Sequence, residues 1–374
     1  MCLEEISPKP LPGPSWVRVR SRLAGICGTD LNTLQLRFSF KGANMARKRS
    51  VKQPFCLGHE VVGEVVELGA AVKNWALGQR VVLAPGAACA AMEQTEPCDM
   101  CRQGLPLLCL RRDGFLPPLS HGAGWSESMV RHESELIPIP NDITDDQAVL
   151  LDPLGCSAHA VLRRPPEAGE AVIVIGGGTI GLGMILALKA LALPIRIIAV
   201  AKYAHQAVQA RAMGAHGVLQ YSSGRLYEEL AAELGTEVFG RGRNNRLLQY
   251  GAAVVYDAVG SGETLHHALR WTRPRGAVVL EGIAPRPAPL DRSVIWLREL
   301  NVIGAHGHGW EHYEGRRLHT FNLIMDWIRQ GRLSVEGLIS HRYPLKDYRQ
   351  AIRTAAAKAG SAATKVLLQM KSND

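Results

Sequence analysis

The sequence predicts an α/β chain, in which a doubly wound parallel sheet is joined to a second, β-rich region. Three observations carry that expectation. The chain has 374 residues, more than one hydrophobic core comfortably serves, so two domains are expected. The first third alternates apolar and polar residues in short runs broken by Gly and Pro. The later sequence instead alternates continuous apolar runs with helical stretches, the pattern of strands buried on both faces.

Each element follows from its own pattern. "SWVRVRSRLAGI" (Ser15–Ile26) alternates as a half-buried strand, and "EVVGEVVELG" (Glu60–Gly69) and "QRVVLAP" (Gln79–Pro85) repeat it. "EAVIVIGGGTIGLGMILALKAL" (Glu170–Leu191) is a buried strand, a glycine turn and a helix. "IRIIAVA" (Ile195–Ala201) is the next strand, and "AHQAVQARAMGA" (Ala204–Ala215) the next helix. "AAVVYDAVG" (Ala252–Gly260), "GAVVLEGI" (Gly276–Ile283) and "LNVIGAHG" (Leu300–Gly307) are further strands. An amphipathic helix, "TFNLIMDWIRQGRL" (Thr320–Leu333), and a short strand, "TKVLLQM" (Thr364–Met370), close the chain.

Composition excludes several classes. Hydrophobic residues make up 47% and charged residues 21%, which is ordinary for a globular protein and not for a disordered one. The net charge is +9, but the basic residues are scattered. The clusters "ARKRS" (Ala46–Ser50) and "GRGRNNR" (Gly240–Arg246) are not interleaved with aromatics, so no nucleic-acid partner is expected. "MCLEEISPKPLPGP" lacks the apolar core of a signal peptide. The longest apolar run, "GLGMILALKALALPI" (Gly181–Ile195), is too short to span a bilayer and carries Lys189, so no membrane partner is expected. The eight cysteines include a tight cluster, which in a cytoplasmic chain favours thiolate ligation over disulfides.

The glycine turn reads Gly176-x-Gly178-x-x-Gly181, directly after a strand and opening a helix. In that context it is a dinucleotide-binding fingerprint. The first glycine permits the turn, the second lets backbone approach a pyrophosphate, and the third lets helix pack on strand. A carboxylate about 20 residues on would bind the ribose hydroxyls of NAD. Here the position reads Ala201-Lys202-Tyr203, with a cation where a 2′-phosphate would lie, so NADP is favoured over NAD.

Metal-ligating residue types recur. "GICGTD" (Gly25–Asp30) and "LGHEVVGEV" (Leu57–Val65) supply Cys27, His59 and Glu60, and "LLDPLGCSAHA" (Leu150–Ala160) supplies Asp152. "CDMCRQGLPLLC" holds Cys98, Cys101 and Cys109, three of the four ligands a structural zinc needs.

Taken together and in order, these motifs resemble the zinc-dependent medium-chain dehydrogenases, the group of alcohol, sorbitol and threonine dehydrogenases. The resemblance covers nearly the whole chain. It implies a Rossmann sheet inserted in a GroES-like β-rich catalytic domain, with a cleft between them and a homodimer or homotetramer. The expected boundaries are 1–155 for the catalytic domain, 156–305 for the dinucleotide domain and 306–374 for a segment completing the catalytic domain. It further implies hydride transfer between a small alcohol (secondary alcohol, polyol or amino alcohol) and NAD(P)+. Cys27, His59 and Asp152 match catalytic zinc ligands, and Glu60 is a ligand in some members and a neighbour of the metal in others. Thr29 matches the hydroxyl that relays the proton. Coenzyme contacts are expected at Gly176, Gly178, Thr179, Ile180, Gly181, Lys202, Val259, Gly282 and Lys365, the last facing the pyrophosphate.

The departures from the family leave alternatives open. A relay histidine is replaced by Asn32. A hairpin that usually precedes "PKPLPGPSWVRVR" is missing, so either a sheet edge is exposed or the start is placed late. The basic stretch Leu34–Pro54 suits either a solvated loop or an anionic substrate. The family's cysteine loop has a further Cys where this chain has Thr95. Cys89 is the favoured replacement, with Glu93, Glu96 or loss of the metal as the others. Competing functions are a zinc-free quinone or enoyl reductase and a catalytically silent dinucleotide sensor.

Overall fold

The computed structural model of the chain describes residues 1–35, 56–86, 88–111, 121–240, 242, 245–283 and 288–370. The basic stretch "ARKRS" and most of Leu34–Pro54 lie outside the described residues, as do three positions of "GRGRNNR". Two compact units form, one of Met1–Asp152 with Val335–Asp374, the other of Pro153–Ser334.

The first unit is built on a seven-stranded sheet. Its central strand, Trp16–Gly25, pairs antiparallel with Val61–Leu68, with Ser128–His132 and with Lys365–Gln369. Alternation explains its placement. Val17 and Val19 are fully buried, whereas Arg18, Arg20 and Arg22 reach outward to Glu67, Glu64 and Asp145. Arg80–Leu83 and Leu136–Pro138 extend the sheet on one side, and Ile339–Pro344 pairs parallel with Lys365–Gln369 on the other. Val61, Val65, Leu83, Met129, Val366 and Leu368 fill the core beside Val17 and Val19. One helix, Gly28–Leu34, interrupts the β-rich region, and its side chains matter below.

The second unit is a six-stranded parallel sheet. Its order is Asn301–Gly304, Thr272–Leu280, Ala252–Asp257, Ala171–Ile175, Arg196–Ala201, Gly217–Gln220. That order reverses direction at the first strand, as in a doubly wound dinucleotide fold. Ile173, Val200, Val255, Val278, Leu230 and Trp271 share one face of its core. The strand Gly217–Gln220 was not expected from the sequence, because "GVLQ" is too short to show a period.

The division differs from the expected boundaries at 155 and 305. The first crossing falls at Asp152/Pro153, inside the helix Leu151–Arg163. The return falls at Ser334/Val335, some way after residue 306. The reason is packing. The Phe321 ring of helix Thr320–Arg329 fills the space a side chain would need at Gly155, and Arg332 Nε donates to Ala190 O at 2.8 Å.

Candidate active site

Asp30 organises the first cluster. It sits in the first turn of Gly28–Leu34 and is buried. Its carboxylate accepts Cys27 N–H at 3.0 Å and Gly58 N–H at 3.2 Å, so it ties the "CGTD" and "GHE" motifs together. Its Oδ1 also lies 3.5 Å from His59 Nδ1. That contact fixes the ring and leaves Nε2 for a ligand, the usual support of a metal-binding imidazole. The motif alone assigns Asp30 no role. Its signal was an acidic residue at the third position of a short helix, which a capping reading would have found.

The ligand atoms of Cys27, His59 and Glu60 all lie within 4.8 Å of one another. Burial alone would push the His59 pKa down, but the Cys27 thiolate and the Asp30 carboxylate outweigh it and hold it well above the usual value. Glu60 is 1% exposed, and its two oxygens lie 2.7 and 2.6 Å from Lys365 Nζ. Burial pushes the Glu60 pKa up against the opposing pull of Lys365, and Asp152 adds to the rise. Gly25 makes room for this arrangement: a Cβ there would lie 1.8 Å from Glu60 Oε2.

Asp152, expected as a third ligand, lies outside the 4.8 Å set, which Glu60 joins with Cys27 and His59. Asp152 is buried in the first turn of its helix and acts on Glu60 and Lys365 through its charge. Lys365, expected to face a pyrophosphate, is 3% exposed and held by both oxygens of Glu60. Thr29 Oγ1 is 3.3 Å from His59 Nε2, beside the cluster. Three protein ligands with a place left over fit a catalytic zinc.

The second cluster is made by Cys89, Cys98, Cys101 and Cys109, whose sulfurs all lie within 4.8 Å of one another. Cys89 and Cys98 are 3.7 and 3.8 Å from Cys109. A zinc at about 2.3 Å from each of four tetrahedral sulfurs requires edges of about 3.8 Å, so the spacing fits that ion. Cys98 N–H also donates to Cys89 Sγ at 3.3 Å. The backbone N–H of Cys101 lowers the Cys98 thiol to about 6, while burial pushes Cys101 up to about 12. Thr95, Glu93 and Glu96 are exposed and outside the set.

In the second unit the glycine turn has the geometry that its motif implies. Gly176 has φ of +106°, a conformation that favours glycine. A Cβ at Gly181 would lie 1.8 Å from Gly176 O, so only glycine lets the helix approach. Gly178 caps the helix Thr179–Ala190, so that the helix N-terminus, beginning at Thr179 and Ile180, follows the glycine turn directly, as an anion site at a helix end requires. Val259 lies against the turn, its Cγ2 2.8 Å from a Cβ built on Gly176. Gly282 packs on the Val259–Gly260 backbone, where a Cβ would lie 2.2 Å from Gly260 N. Ala201 ends its strand fully buried, and Lys202 beside it is exposed, with Nζ 5.7 Å from the Tyr203 ring centroid. These residues fit a dinucleotide: an anion cradle with a cation at the end of the second strand.

Comparison with known proteins shows which family the chain resembles. Residues 13–141 match the family model described as alcohol dehydrogenase GroES-like domain, and residues 179–321 the one described as zinc-binding dehydrogenase. The chain is 31% identical to an L-idonate 5-dehydrogenase of Vitis vinifera, covering 98% of this chain and 92% of that one. It is 30% identical to a sorbitol dehydrogenase of Arabidopsis thaliana, again covering 98% and 92%. Among solved structures it resembles an alcohol dehydrogenase of E. coli CFT073 in complex with NADH, with a TM-score of 0.77, 25% identity, and coverage of 96% and 94%.

Proposed function

Because the chain belongs to the zinc-binding medium-chain dehydrogenase family, and so transfers hydride between an alcohol and NAD(P)+, we propose that its substrate is a polyhydroxylated secondary alcohol and its preferred coenzyme NADP+. The observation that carries the chemistry is the set of Cys27, His59 and Glu60. A zinc-free reductase has no use for a thiolate, an imidazole and a carboxylate converging within 4.8 Å. The relatives' names, idonate and sorbitol dehydrogenase, support a polyhydroxylated carbon chain.

When bound, zinc supplies a Lewis acid for the alcohol oxygen, and NAD(P)+ supplies the hydride acceptor. The chain's residues do the rest. Cys27, His59 and Glu60 hold the metal, with Asp30 fixing the His59 ring. Asp152 keeps a further negative charge beside Glu60 and Lys365, available when Glu60 shifts. Thr29 Oγ1, beside the cluster, would accept the proton the alcohol gives up while passing its own hydroxyl proton on toward solvent. Asn32, one helical turn on, is not a base, so the proton leaves through water. Gly176 to Gly181 seat the pyrophosphate, and Lys202 pairs with a 2′-phosphate that a carboxylate at position 201 would repel. The cysteine cluster holds a structural zinc that staples its loop. Four reduced thiols suit a cytoplasmic protein. No helix among the described residues is long and apolar enough to cross a membrane.

The test is a panel of polyols, sugar acids and amino alcohols assayed with both coenzymes, for wild type and Cys27→Ala. Wild type reduces NADP+ with a kcat/KM about tenfold above NAD+, the worth of one partly exposed charge pair. Cys27→Ala loses turnover and catalytic zinc while still binding coenzyme. Normal turnover in Cys27→Ala sinks the metal chemistry, and a preference for NAD+ sinks the role of Lys202.

A further inference from the structure

The corner where the strand Arg196–Ala201 meets the glycine turn is held by contacts from several directions. Gly176 N–H donates to Val200 O at 2.9 Å, and Tyr221 N–H donates to Ala201 O at 2.8 Å. The helix Ala204–Ala212 begins just beyond, with Tyr203 as its N-cap. Its Gln206 is buried against Gly177, where a Cβ would lie 2.5 Å from Gln206 Cβ and 3.4 Å from Ala201 Cβ. Tyr203 N–H reaches the same glutamine, 3.4 Å from its Oε1. Position 177 is one of the unspecified places of the fingerprint, and here a side chain would push the second helix away. The starts of Thr179–Ala190 and Ala204–Ala212 are thus both packed at the turn, and neither helix carries an acidic residue in its first turn. Both ends favour an anion there.

The side chains that follow the strand are arranged around one ring. Lys202 Nζ lies 5.7 Å from the Tyr203 ring centroid, within the range at which an ammonium is attracted to an aromatic face. The Tyr203 ring stacks on His205, with centroids 5.7 Å apart and planes 8° from parallel. Both rings are half-buried, and Lys202 is exposed. An exposed lysine has a flexible four-carbon stem, and ordering that stem on a ligand lowers affinity. A ring fixed at the start of a packed helix reduces the loss by keeping the ammonium beside the turn before the ligand arrives.

We propose that Tyr203 is a positioning residue for coenzyme selection: its ring, backed by His205, holds the Lys202 ammonium in place for the 2′-phosphate of NADP+. This rests on the reading of Lys202 as the partner of that phosphate. It adds that the lysine alone does not set the preference, which depends on the aromatic face beside it. The flat face of the ring is what matters, and the Tyr203 hydroxyl is not needed. Neither ring takes part in hydride transfer.

The experiment titrates adenosine 2′,5′-bisphosphate and adenosine 5′-monophosphate into the full chain by calorimetry. The two probes differ only in the 2′-phosphate, and no turnover is involved. Wild type binds the bisphosphate about tenfold more tightly. Lys202→Met brings the two affinities together and sets the scale. Tyr203→Leu lowers the ratio about two- to fivefold, the size expected of an exposed ammonium on a ring, and leaves the monophosphate affinity as it was. Tyr203→Phe keeps the wild-type ratio. His205→Ala lowers the ratio in the same direction, and His205→Phe, which keeps a flat face, restores it. A wild-type ratio in Tyr203→Leu overturns the proposal. So does equal weakening of both probes, which would set the ring against the adenine. So does a loss in Tyr203→Phe as large as in Tyr203→Leu, which would make the hydroxyl a phosphate ligand. If His205→Phe binds as His205→Ala does, the imidazole itself meets the phosphate and its backing role falls. If Lys202→Met leaves the ratio unmoved, the coenzyme reading falls first and this one with it.

Discussion

Glu60 and Lys365 are 305 residues apart in the chain and meet as an ion pair that is 1% and 3% exposed. A pair so buried gains little over two well-packed apolar residues, but losing one partner strands the other. Lys365→Met leaves the Glu60 carboxylate buried beside Asp152 with no cation, and should cost about 3–5 kcal/mol. Adding Glu60→Gln removes the stranded charge and should recover more than half. Urea unfolding of wild type, the single and the double variant measures both effects. Equal midpoints for Lys365→Met and wild type would show that the ammonium does not neutralise Glu60. The sequence showed that Glu60 and Lys365 each belonged near the chemistry, and not that they belong to each other. Nothing in "GHE" or "TKVLLQM" encodes a partner brought in by sheet pairing. For the same reason the sequence does not rank Asp152 and Glu60 against each other: where Glu60 sits depends on the space that Gly25 leaves for it.

At the scale of elements, what was legible is what repeats locally. The glycine turn needs only contiguous residues, and its roles for Gly176 and Gly181 follow from φ and from close approach. The alternation of Trp16–Gly25 and the continuous apolar strands of the parallel sheet were equally plain. Short strands such as Gly217–Gln220 and the hairpin Trp310–Tyr313 with Arg316–His319 carried no period long enough to read. The cysteine loop lies between these cases. Its spacing fitted three ligands, and the fourth depended on a loop folding back. The structure brings Cys89 within hydrogen-bonding distance of Cys98 N–H and 3.7 Å from Cys109. With four sulfurs around one ion, the element should behave as a unit. Wild type is expected to hold two zinc ions per subunit. Cys89→Ser should hold about one, keep its catalytic zinc, and melt several degrees lower. Metal analysis with a thermal melt decides it. Two ions per subunit in the variant would mean that Cys89 is not a ligand.

At the scale of the whole molecule, the chain enters one unit, crosses to the other at Asp152/Pro153 and returns at Ser334/Val335. Neither crossing is marked by a linker-like sequence. The first lies within a helix, and the amphipathic helix Thr320–Arg329 would suit either core, so its side is settled only by contacts such as Phe321 on Gly155. The parallel sheet also ends in a strand that no other strand among the described residues covers on its outer side. Asn301–Gly304 pairs on one side only, and Asn301, Val302 and Gly304 are exposed. Trp296 and Leu297, just before it, are 81% and 67% exposed. An open edge beside exposed large apolar residues invites pairing with another strand. We propose that a second copy of the chain supplies it, edge to edge about a twofold axis, so that each copy's strand satisfies the other's free backbone groups. The wild type is then a dimer at micromolar concentration. Val302→Arg sets one cation from each copy against the other across the axis, and should shift the protein toward monomer. Trp296→Gln, on a side chain exposed in the single chain, should weaken the dimer without disturbing the fold. Sedimentation equilibrium reads the mass, and circular dichroism shows whether the sheet survives. A wild type that sediments as a monomer, or variants that remain dimeric with intact sheets, would place any interface elsewhere.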